Sequence, residues 1–170
     1  MWDPFPAPRR LKRREVFEMK KLFLSLALLG LLTLTACYGA SKVGDAFEGT
    51  VNDHEGVAMT LVEGTATPGG ATVEVVNATE AEIGSGNEHD FGLQMERDGQ
   101  WYLLERKGEF ANTAEAYIFS PDEPRELALT WGSSYGDLKP GRYRVTKWFF
   151  EYRGPGDTTD FLLAAEFTIE

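Results

Sequence analysis

Two four-residue clusters carry the side chains best suited to chemistry in this chain, Asn52-Asp53-His54-Glu55 and Asn87-Glu88-His89-Asp90. Each holds an imidazole between two carboxylates. Such a set offers oxygen ligands to calcium, or imidazole nitrogen to zinc or another transition metal. The same composition also arises when polar loops beside strand ends collect acids and their histidines stay solvated. Asp157 and Asp160 would add two further carboxylates if the fold brought all three segments to one pole. Catalysis finds little else to use. His54 and His89 are the only histidines and Cys37 the only cysteine, and there is no G-x-S-x-G or H-E-x-x-H motif. No catalytic residue is assigned. The chain is expected not to be an enzyme, and calcium or zinc at the clusters is the one cofactor left open.

A second set of residues suits recognition. In the strand expected from Arg142 to Phe150, Tyr143, Val145 and Phe149 fall on one face with Lys147, whereas Trp148 and Phe150 fall on the other with Arg144 and Thr146. Aromatics on both faces fit an outer surface, extended by Leu162, that stacks on a protein or on sugar rings. They also fit a bulge that flips the register, or cover by a neighbouring loop. Arg153-Gly154-Pro155-Gly156 next to it has the composition of an exposed inhibitor-type loop, although its glycines argue against the rigidity that a protease cleft requires.

The elements that must position these residues follow from length, charge and pattern. A chain of 170 residues has room for one domain and a short extra segment. With 27 acidic against 17 basic residues and no basic stripe, nucleic acid is disfavoured as a partner. Residues 22–36 are apolar throughout, follow Lys20-Lys21 and end at Cys37, which is the layout of a signal peptide too short to span a bilayer. Leu34-Thr35-Ala36-Cys37 resembles a bacterial lipobox, which implies a diacylglycerol on the Cys37 sulfur and cleavage before it. Acyl chains contribute about 0.8 kcal/mol per buried CH₂, enough in pairs to hold a domain on a membrane. Met19-Lys20-Lys21 makes a complete start, so residues 1–18 are expected to be a mis-annotated extension and 19–36 the signal peptide. Residues 37–170 keep ten basic and 24 acidic side chains, a balance of −14.

Residues 37–55 have no apolar period and several glycines, and are expected to be a flexible tether. Beyond them, short runs of period-two alternation separated by turn residues predict an all-β, antiparallel sandwich of about seven to nine strands. Expected strands cover residues 57–62, 71–76, 91–96, 100–104, 116–119, 126–131, 142–150 and 161–169, with a loop over 151–160. Asp98-Gly99 supplies the positive φ angles of a tight hairpin. Pro140-Gly141 before Tyr143 suits a tyrosine corner, in which the hydroxyl bonds back to nearby backbone.

Several segments together resemble the bacterial immunoglobulin-like domain of small envelope lipoproteins, found largely in Gram-positive bacteria. They are Gly56-Val57-Ala58-Met59-Thr60-Leu61, Asp98-Gly99-Gln100-Trp101-Tyr102, Pro124-Arg125-Glu126-Leu127 leading to Trp131, Leu138-Lys139-Pro140-Gly141-Arg142-Tyr143, and Tyr152-Arg153-Gly154-Pro155-Gly156-Asp157. The likeness covers residues 56–170. It implies an immunoglobulin-like sandwich on the extracytoplasmic face of the cell membrane, without an assigned reaction. The expected role is a non-enzymatic binding or structural module, anchored through Cys37, whose partner is an envelope protein or glycan and whose contact candidates are Trp148, Phe150 and Arg153. A protease inhibitor built on a similar sandwich and a surface divalent-cation binder are the alternatives.

Overall fold

The computed structural model describes residues 41–108, 115–154 and 156–170. Cys37, the signal peptide and the N-terminal extension lie outside the described residues. All regular structure described is strand, and the expected antiparallel sandwich is formed.

Ten strands are described: β1 (Val43–Ala46), β2 (Val57–Leu61), β3 (Gly70–Asn77), β4 (Ile83–Gly86), β5 (Gly92–Arg97), β6 (Gln100–Leu104), β7 (Ala116–Phe119), β8 (Arg125–Thr130), β9 (Gly141–Gly154) and β10 (Asp157–Ile169). The smaller sheet runs β2-β3-β8. The larger is built on β9, which pairs with β10 along its whole length. On its other side β9 meets β5 first and β4 further along, so β4 and β5 act as one strand split by residues 87–91. β6 and β1 extend the sheet beyond β5, and β7 extends it beyond β4.

Alternation places the core. Val73 and Val75 of β3 and Leu127 and Leu129 of β8 face Val145, Phe149, Leu163 and Phe167 across the sandwich, all buried. Trp131 is fully enclosed, stacked on Phe167 at 5.3 Å, and its indole N–H donates to the Pro68 carbonyl at 2.7 Å. A buried donor thereby keeps a partner. The tyrosine corner is present: the Tyr143 hydroxyl donates to the Lys139 carbonyl at 2.9 Å, and burial raises its pKa above the ordinary tyrosine value. Asp98 and Gly99, at φ 52° and 80°, make the expected tight hairpin between β5 and β6.

Three features differ from the sequence expectation. The described part of the expected tether is bound to the domain. β1 pairs with β6, Phe47 N–H donates to the Trp101 carbonyl at 2.8 Å, and Asn52 N–H donates to the Leu162 carbonyl at 2.9 Å. Residues 47–52 therefore cross the outer face of the larger sheet from the β6 side to the free edge of β10. This strap is fixed at both ends by those backbone hydrogen bonds. Second, the loop expected over 151–160 is mostly strand, because β-formers occupy Tyr152, Thr158 and Thr159, so that β9 runs on to Gly154 and β10 begins already at Asp157. Third, β4 was hidden by its composition, since Gly84 and Gly86 remove one half of the alternation.

Candidate functional site

The two histidine clusters lie apart, and each is held by other partners. In the first, Asn52 does the work of a short strand on the edge of β10: its Nδ2 donates to the Ala164 carbonyl at 3.1 Å and its Oδ1 accepts the Ala164 N–H at 2.8 Å. Asp53 accepts the Thr50 hydroxyl at 2.8 Å, and Glu55 is exposed. The His54 ring lies flat on Phe161, with centroids 3.8 Å apart and planes 6° from parallel, and its Nε2 is 3.9 Å from Glu151.

The second cluster sits beside the middle of β9, in the break between β4 and β5. Lys147 is only 1% exposed, and its Nζ donates to the carbonyls of Asn87 at 2.6 Å and Asp90 at 2.8 Å. The loop is thus wound around an ammonium group. Burial lowers the Lys147 pKa from 10.5 to about 8, partly opposed by the carboxylates of Asp90 and Glu88. The Tyr117 hydroxyl donates to Glu88, which lowers the Glu88 pKa and raises that of Tyr117. Arg106 donates to the His89 carbonyl at 2.6 Å.

Asp157 is taken up by Arg153, whose Nη2 lies 2.9 Å from it, and Asp160 pairs in register with Phe150. The expected convergence of Asp53, His54, Glu55, Glu88, His89, Asp90, Asp157 and Asp160 is not formed. The cause is the split strand, which holds one cluster at mid-strand, and the extended β9–β10 arm, which replaces the pole loop. Among the described residues no group of three or more His, Cys, Asp or Glu is placed to hold a metal ion.

The outer face of the larger sheet is divided in two. Along β9, Tyr143 to Lys147 are buried without a break, and along β10 so are Phe161 to Ala165. Such runs mean that both faces are covered. Here the strap lies over the outward residues: the Arg144 guanidinium sits 4.4 Å from the Trp101 ring and 5.1 Å from the Phe47 ring, and its Nε donates to Gln94 at 2.8 Å. Leu162 is covered in this half. Beyond Lys147 alternation returns and the cover ends. Trp148 is 59% exposed, Tyr152 57%, and Ile118 on β7 47%.

Pairing between β9 and β10 runs without a slip from Tyr152 to Gly141, so no bulge puts Trp148 outside. Phe150, between Trp148 and Tyr152, is half-buried because it lies over Gly84, where a Cβ would come 2.1 Å from the ring. Glycine at 84 is what lets that ring lie down on the sheet. Arg153 alternates to the other face, where it pairs with Glu151 at 3.2 Å and with Asp157. It does not share the surface of Trp148 and Phe150. Tyr152 and Ile118 belong to the surface and were missed: Tyr152 fell in the expected loop, and Ile118 joins only through the unexpected β4. Continuing the period-two count past Phe150 would have found Tyr152.

Two facing antiparallel sheets closed by a tyrosine corner define an immunoglobulin-like sandwich domain. A family model described as a bacterial Ig-like domain matches residues 53–168, and the chain belongs to that family. No curated protein and no solved structure matched the chain. Membership supports a non-enzymatic structural or binding module.

Proposed function

We propose that this protein is a binding module anchored by lipid on Cys37 at the extracytoplasmic face of a bacterial membrane, and that it recognises an envelope partner through Trp148, Phe150 and Tyr152. The observation that carries this reading is the contrast within one sheet face. One half is closed by the strap, while the adjoining half leaves two large aromatics more than half exposed. Exposed aromatic surface of that kind is unfavourable in water and is a mark of an interaction site. The lipobox-like Leu34-Thr35-Ala36-Cys37 supports the anchor.

Hydroxyl-radical footprinting tests the surface. Trp148 and Tyr152 are expected to oxidise readily in the purified protein and to be protected in intact cells, with Tyr102 as an internal reference. Equal oxidation in the two settings would remove the reading.

A further inference from the structure

Resting on that reading of the aromatic half, we propose that its ligand is an extended, lysine- or arginine-bearing segment of a partner protein. The strip from Trp148 to Tyr152 covers four residue steps, about 13 Å along β9, on an open sheet. That span is longer than a single amine and has no walls to enclose one. It matches a few residues of a chain laid along the strand.

The charge around the strip selects the partner. Asp160 is the register partner of Phe150 and is exposed on the same face. One step along β4 from the Ser85–Phe149 pair, Gly86 has the Asp90 carboxylate lying over it, 2.2 Å from where a Cβ would be. The strip is therefore bordered by a carboxylate on each side. Along β4, β7, β9 from Trp148 onward and β10 as far as Leu162 the one basic residue is Arg153, which alternates away and is engaged by Glu151 and Asp157, while Arg125 of β8 reaches the Ile118 carbonyl with its guanidinium laid over the Tyr117 ring. Aromatic faces with flanking carboxylates bind cations through the ring quadrupole and through charge together. The balance of −14 over residues 37–170 adds long-range attraction for a basic partner.

The test uses the full-length protein in neutral detergent micelles, titrated with a decapeptide alternating Lys and Ser, its Glu-Ser counterpart and a neutral β-linked oligosaccharide, and read from the Trp148 indole resonance in the parent and by titration calorimetry in parent and variants alike. The Lys-Ser peptide should shift that resonance and the Glu-Ser peptide should not. Affinity should fall about tenfold in the Trp148→Ser variant, and several-fold in Asp160→Asn and from low to physiological salt. Melting of each variant, compared with the parent, separates loss of binding from loss of fold. Shifts with the oligosaccharide alone, concentration-dependent self-association through the strip, or no peptide response would each overturn the proposal. If Trp148 is protected in cells while the Lys-Ser peptide fails to bind, the cationic ligand is wrong and the recognition surface stands. If it is unprotected, both fall.

Discussion

Gly84 and Lys147 show how single residues set the two sides of β9. At Gly84 a methyl group would meet the Phe150 ring at 2.1 Å. Gly84→Ala must displace the ring, and overpacking of this kind costs about 1–3 kcal/mol. Thermal melting should fall, and the double change Gly84→Ala with Phe150→Ala should recover part of the loss. Lys147 makes a prediction in pH. Its folded pKa, about 8, lies below the unfolded 10.5, so between those values the unfolded chain holds a proton that the folded chain has released. Stability contributed by this group therefore rises with pH across that window. The penalty of burying the ammonium is full below about pH 8 and is relieved above it. Tyr143 and Tyr135, whose pKa values burial raises, act with the opposite sign above about pH 10. Denaturant melts of the parent and Lys147→Met should separate by about 1–3 kcal/mol more at pH 10 than at pH 7. An unchanging difference would mean that Lys147 is not held as described. At pH 7 the variant should still be less stable, because it strips the donor from two loop carbonyls.

Among the elements, the strap most alters the picture drawn from sequence. Residues 41–55, the described part of the expected 37–55 tether, look like a tether because glycines and acids hide any apolar period, and their contacts are almost all with distant residues. Asn52 meets Ala164 across 112 positions, and Ser41 donates to the carbonyl of Tyr135 across 94. No local pattern announces such pairings. The strong strands were legible because one face of each had to be apolar. The Asp98-Gly99 hairpin and the tyrosine corner were legible because their backbone chemistry is local. The split of β4 from β5 was not, since it depends on Lys147, some 60 residues later, entering the gap. Asn52→Gly preserves a φ of 58° while removing both side-chain bonds to Ala164. Amide exchange at Ala164 should accelerate by at least about tenfold, matching loss of about 1–2 kcal/mol. A free tether would leave that amide unchanged.

For the whole molecule, the strap leaves only residues 38–42 between Cys37 and β1, a reach of about 18 Å. An anchored domain would therefore ride close to its membrane, held off anionic headgroups by its −14 balance and not by a long spacer. Growth with an alkyne-bearing fatty acid should label the parent protein and leave Cys37→Ala unlabelled and released from the membrane fraction. Label retained by the variant would refute the anchor. The bare half of the sheet carries the proposed recognition, and photo-crosslinking in living cells probes it most directly. A benzophenone side chain at position 148 is compared with one at position 60, an exposed site on the opposite sheet. A recognition surface there should give discrete adducts from position 148 in large excess over position 60. Equal yields, or none from position 148, would contradict it.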